Sequence, residues 1–148
     1  MSLDIFKNHD KSKFEIFAFS LSKNKKDEWN QNIESYFSEF IYVHDKSDAE
    51  IAALSKKIGI DISIDLNGFT NEGRQGIFFK RSAPIQINFL GYPGTMGAKF
   101  YDYIIADKTI IPESKKKNYI EEIVYQENCY QPNISEREIS NKILKRSD

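Results

Sequence analysis

This 148-residue sequence predicts an α/β fold built around a mostly parallel sheet. Three observations carry that expectation. Short runs of β-branched and aromatic residues alternate with stretches of helical periodicity. Six of the seven glycines fall between Gly68 and Gly97, at the ends of predicted strands. No internal repeat or low-complexity tract interrupts the alternation.

The elements follow in order. Phe14 to Ser20 (FEIFAFS) is dense in aromatic and β-branched residues and reads as a strand, with a charged loop from Lys23 to Glu28 after it. Trp29, Ile33, Tyr36, Phe37 and Phe40 recur at steps of three and four, the mark of one helix face. Ile41 to Val43 is a short strand. Ser47 with Glu50 forms a capping-box pattern that opens a helix bearing Ile51, Leu54 and Ile58, and Gly59 suits its stop. Ile60 to Leu66 (IDISIDL) is a strand, ended by the loop Asn67-Gly68-Phe69-Thr70. A short helix through Ile77, Phe78 and Phe79 precedes Pro84. Ile85 to Leu90 (IQINFL) is the next strand and runs into the loop GYPGTMG, Gly91 to Gly97. Tyr103 to Ala106 and Glu122 to Tyr125 read as two more strands, separated by the Lys-rich stretch Glu113 to Tyr119. Beyond Pro132 the chain turns polar. Ser135 and Glu138 repeat the capping-box pattern ahead of Ile139, Ile143 and Leu144, which predicts one surface helix. The organisation is therefore a domain over residues 1–132 and a tail over 133–148.

Composition narrows the function classes. With 40% hydrophobic and 29% charged residues the chain can bury a core without staples. Twenty-one basic side chains against twenty-two acidic ones give a net charge of −1, so no field gathers a polyanion and nucleic acid is not an expected partner. Cys129 is the only cysteine; it excludes an internal disulfide and a cysteine-based metal site, and fits a reducing cytoplasm. Met1-Ser2-Leu3-Asp4 opens no secretory signal, and no apolar run approaches the ~20 residues that span a bilayer. The expectation is a soluble, cytoplasmic chain with no membrane partner.

Chemistry is best sought at the glycine loops, because ligands of open parallel sheets bind beyond the carboxyl ends of the strands. Gly91 to Gly97 reads either as a loop wrapping a nucleotide sugar through backbone N–H groups or as a tight turn with Pro93 at a favoured position. It is not a P-loop, since no Gly-Lys-Ser/Thr closes it, and its G-x-x-G-x-x-G spacing departs from the dinucleotide fingerprint. Asp61 and Asp65, four apart on a strand, share a face and suit either an acid–base pair or, more simply, an exposed Asp61 and a turn-stabilising Asp65. His9 and His44 lack metal-ligand spacing and read as surface residues. Arg74, Lys80 and Arg81 form a basic cluster in sequence that suits a phosphate or plain solvation, and Lys115 to Lys117 reads as a solvated run.

IDLNGFT, then RSAPIQINFLGYPGTMGAKFYDYIIADKTIIP, then CYQPN resembles the catalytic region of the O-GlcNAc transferase and SPINDLY-like glycosyltransferases, from about Lys7 to Asn133. Ser82 stands where that family commonly has Pro. The resemblance implies a Rossmann-like sheet with flanking helices, forming part of the N-terminal lobe of a two-lobed (GT-B type) enzyme. It implies inverting transfer of a sugar from a nucleotide donor such as UDP-GlcNAc to protein Ser or Thr, without a metal or other cofactor. Leu90 and Gly91 match positions lining the donor-sugar pocket, and Pro93, Gly94 and Thr95 belong to the same loop. The family's acid–base loop and second lobe have no counterpart in these residues. No catalytic residue is therefore assigned. The expectation is a fragment inactive alone, binding nucleotide sugar only with a second lobe and exposing apolar surface that favours self-association. The alternatives are a non-catalytic binding or remnant module and an independent nucleotide-binding domain.

Overall fold

The structure, a computed structural model, describes residues 3–23 and 33–133. Helix α1 (Leu3–Asn8) opens it, with Asp4 in its first turn and Lys7 in its last, as the helix dipole favours. The sequence reading assigned no element there. Strands β1 (Phe17–Ser20) and β2 (Glu39–Tyr42) pair in parallel, Phe17 opposite Glu39 and Ser20 opposite Tyr42. Of the helix expected from Trp29 to Phe40, residues 29–32 lie outside the described residues, and only Ile33 and Glu34 of the remainder are helical. Its last predicted member, Phe40, belongs to β2 instead, opposite Ala18. A turn over Ser35 to Ser38 breaks the helical spacing first.

Helix α2 (Asp48–Ile58) has the predicted ends. Ser47 N donates to Glu50 Oε2 at 2.8 Å and Glu50 N to Ser47 Oγ at 3.3 Å, so two free helix-start donors are satisfied reciprocally. Gly59 closes the helix in the left-handed region, at φ 88°. Strands β3 (Ile62–Asp65), β4 (Ile85–Asn88), β5 (Tyr103–Ala106) and β6 (Glu122–Tyr125) then form a second sheet in that spatial order, every ladder parallel. The crossovers are α3 (Gln75–Phe79), the loop from Phe89 to Asp102, and a 3₁₀ segment (Glu113–Asn118).

One core joins the pieces. Val43, Ile51, Ala52, Ile77, Phe78, Met96 and Tyr101 are buried together, with Phe19, Ile41 and Leu54 packed against them. A smaller cluster of Ile104, Ala106 and Ile111 lies under the last crossover. The second sheet has two unlike faces. Asp65, Gln86, Asn88, Ile104 and Ala106 point into the covered side. Ile62, Ile64, Ile85, Tyr103 and Val124 lie on the other, each between 36% and 48% exposed.

Gln86, fully buried, is the hub on the covered side. Its Oε1 accepts Ser82 N at 2.8 Å and Ser82 Oγ at 2.9 Å, while its Nε2 donates to the carbonyls of Phe78 and Phe100. Four bonds saturate the amide, which is the condition for burying it.

Candidate functional site

Strands β3 and β4 end side by side, with Asp65 opposite Asn88. The carboxylate of Asp65, 4% exposed, accepts Asn67 N and Gly68 N, both at 2.9 Å, which folds the chain back immediately after the strand. Its other oxygen accepts the Tyr101 hydroxyl at 2.5 Å. Burial first, and then the Asp65 carboxylate, push the Tyr101 phenol far above its ordinary range, so it stays a proton donor. Asn88, also fully buried, reaches into the second loop, donating to Tyr92 O at 2.8 Å and Gly94 O at 3.4 Å, while its Oδ1 has no partner among the described residues.

The two loops are pressed together closely enough to require glycine. Gly68 has φ +57°, and a Cβ there would lie 2.6 Å from Tyr92 Cβ. A Cβ on Gly91 would strike the carbonyl oxygens of Leu66 and Asn67. Immediately before Gly91, Leu90 has φ 72°, a left-handed conformation that strains a leucine. Phe69, 56% exposed, meets Tyr92 edge-on with centroids 5.4 Å apart and forms the rim.

The far half of the second loop is held from the start of β6. Glu121, 4% exposed, accepts Met96 N at 2.6 Å and Thr95 Oγ1 at 2.7 Å. Tyr119 donates its hydroxyl to Pro93 O at 3.0 Å. Sequence reasoning missed Glu121 entirely: an acidic residue at a strand start, beside a second glutamate, carries no local signal of burial.

Leu90, Gly91, Pro93, Gly94 and Thr95 thus lie in one loop, Gly91 exposed and the others half-buried. The idea that this loop wraps a ligand through backbone N–H groups is narrowed. The amides of Gly91, Met96 and Gly97 are bonded to Phe89 O, Glu121 and Thr95 Oγ1. The basic cluster does not form. Arg74 is engaged by Asp48 and Lys46 O near the start of α2. Arg81 is engaged by Asp102 and Pro84 O at the amino ends of β4 and β5, away from the glycine loops. Asp61 and Asp65 make no acid–base pair either: Asp61 is exposed at the amino end of β3 and Asp65 is buried at the other. The histidines, expected at the surface, are both half-buried. His9 Nδ1 lies 2.6 Å from Phe6 O, and His44 Nδ1 is buried without a partner among the described residues. Lys115 to Lys117 are exposed, as expected of a solvated run.

Among the described residues, no group of three or more His, Cys, Asp or Glu could hold a metal ion. No helix among them is long and apolar enough to cross a membrane.

A parallel sheet whose carboxyl ends carry interlocked glycine loops defines the chain as Rossmann-like α/β. The match to known proteins then specifies the family. The profile of Glycosyl transferase family 41 covers residues 2–138, and the chain belongs to that family. It is 36% identical over 126 residues to the probable UDP-N-acetylglucosamine–peptide N-acetylglucosaminyltransferase SEC of Arabidopsis thaliana, covering 85% of this chain and 13% of that protein. It is 33% identical over 123 residues to the corresponding transferase of Caenorhabditis elegans, covering 82% of this chain and 11% of that protein. Among solved structures, a lysine-to-methionine mutant of the Thermobaculum terrenum O-GlcNAc transferase superposes with a TM-score of 0.81 at 26% identity, over 85% of this chain and 24% of that one. The chain therefore has the fold of part of a GT-B enzyme and spans only a small share of each of these relatives.

Proposed function

We propose that this chain forms part of the N-terminal lobe of a protein O-linked N-acetylglucosaminyltransferase, over residues 1–132, and contributes one wall of the donor-sugar pocket. The observation that supports the reading is the loop pair itself. Leu90 is held in a left-handed conformation, and Gly91 is seated against the carbonyls of Leu66 and Asn67 at the carboxyl ends of β3 and β4. Strain maintained beside a ligand crevice is characteristic of working sites. Family members named above act on UDP-N-acetylglucosamine and peptide, and the reading extends those substrates to an enzyme containing this chain.

Transfer requires an oriented acceptor oxygen and stabilisation of the departing diphosphate. Among the described residues Asp65 is engaged by three donors and Arg74 and Arg81 by acids, so none of these is free for those tasks. The 148-residue chain by itself is therefore expected to show no turnover. Mixing it with separately produced pieces that supply the family's acid–base loop and second lobe, UDP-N-acetylglucosamine and an acceptor peptide should give glycosylated peptide, detected by mass spectrometry. Measurable transfer by the unaided chain, or none in a mixture where the pieces demonstrably associate, would refute the reading.

A further inference from the structure

We propose that Glu121 is a positioning residue for the donor-sugar loop, acting through Thr95 and Met96; this rests on the reading of that loop given above. The starting observation is a buried carboxylate with no cation. Glu121 is 4% exposed, and none of the ion pairs among the described residues includes it. Burying an ionised carboxylate is costly unless donors compensate it. Here both compensating donors come from two consecutive residues of one loop: Met96 N at 2.6 Å to Oε1 and Thr95 Oγ1 at 2.7 Å to Oε2. Charge-assisted bonds of this kind are about twice as strong as neutral ones. The carboxylate therefore fixes a short piece of backbone in two places at once.

Thr95 is fully committed by the same arrangement. A hydroxyl offers one donor and two acceptor positions. Thr95 Oγ1 donates to Glu121 and accepts Gly97 N at 3.0 Å and, more loosely, Ile120 N at 3.5 Å. It has nothing left to offer a ligand, so its contribution is the shape of the loop. With Tyr119 holding Pro93 O and Asn88 holding Tyr92 O and Gly94 O, the loop is anchored on both flanks. The surface left to meet a sugar is Leu90, Gly91, Pro93 and Gly94. Moving the Thr95–Met96 anchor shifts that surface while leaving the sheet beneath it intact.

Saturation-transfer NMR on the full 148-residue chain, associated with the separately produced second lobe, tests this, with millimolar UDP-N-acetylglucosamine as the probe. Wild type should saturate the N-acetylglucosamine protons. Glu121→Ala should reduce that signal about tenfold, from the loss of two bonds to a charged group. Glu121→Gln, which keeps an acceptor for Met96 N, should lose roughly half as much on a logarithmic scale. Ile111→Ala, which opens a cavity in the neighbouring cluster, is the control: it should lower stability yet leave sugar contact at the wild-type level. A second signature belongs to the proposed contact alone: the Met96 amide, bonded to Glu121 in wild type, should lose its hydrogen-exchange protection in Glu121→Ala and keep part of it in Glu121→Gln, a variant that also serves if the alanine form does not fold. Gly91→Ala separates the two layers. If it abolishes sugar contact while both Glu121 variants retain it within twofold, the positioning role is overturned and the donor-loop reading stands. If wild type makes no sugar contact, or Gly91→Ala leaves it unchanged, both fall.

Discussion

The two faces of the β3–β6 sheet are built on opposite rules. On the covered side the buried residues include an aspartate, a glutamine and an asparagine, each tied to loops and crossovers. On the other side Ile62, Ile64, Ile85 and Val124 stand half in solvent. A wholly parallel sheet normally has both faces covered and reads as continuous apolar sequence. Here Asp65 and Asn88 go inward to hold the two glycine loops and Gln86 to hold the backbone of the crossovers, beside buried Ile104 and Ala106, whereas the isoleucines form the plain surface that a covering layer would take. A polar side chain is buried on this sheet where loop or crossover groups saturate it.

The comparison can be broken at its strongest point first. Gln86→Ala should cost about 3 kcal/mol, since it removes a buried side chain and leaves Ser82 N and two carbonyls unsatisfied. Urea denaturation followed by circular dichroism would measure it, and a loss below about 1 kcal/mol would mean that water replaces the amide without difficulty. Gly91→Ala should cost about 2 kcal/mol, because backbone oxygens of Leu66 and Asn67 must move to admit the methyl group. Its effect should concentrate in amide exchange of the two loops.

A weaker, pH-dependent effect is expected at Asp107. Backbone N–H bonds from Tyr130, Ile110 and Thr109 hold its carboxyl below the ordinary value. A depressed folded-state pKa gives stability that is present above the unfolded value near 3.8 and is lost as pH falls through the folded one. Asp107→Asn should therefore flatten the acid limb of the stability curve below about pH 4 while lowering the neutral plateau slightly. Smallest of all should be Ile64→Lys on the open face: stability within about 0.5 kcal/mol of wild type. Light scattering should show less self-association for this variant if that face mediates contact between copies.

The sequence made the helix ends and the last two strands legible because their signals are local. Ser47, Glu50 and Gly59 act within one turn of α2, and the strand limits Tyr103–Ala106 and Glu122–Tyr125 are met to the residue. Phe40 misled because its apolar spacing fits a helix and a strand edge equally well, and only pairing with Ala18 decides. The clustered glycines marked the two loops that press together at the carboxyl ends of β3 and β4. What could not be read was who holds them: Glu121 meets Met96 across 25 positions and Tyr101 meets Asp65 across 36. The basic cluster failed for the same reason, since Arg81 is adjacent to the glycine region in sequence but is captured by Asp102 at the opposite end of the strands.

The wholly parallel ladders also govern how the molecule must come into being. Ile62 pairs with Ile85 and Ile87 with Tyr103, so no two neighbouring strands of this sheet can zip through a hairpin. Each rung waits for an intervening crossover to be synthesised and folded, which makes assembly slow relative to helical or hairpin-rich chains of this size. During that interval the isoleucine rows stay unpaired and exposed, the condition under which folding chains aggregate.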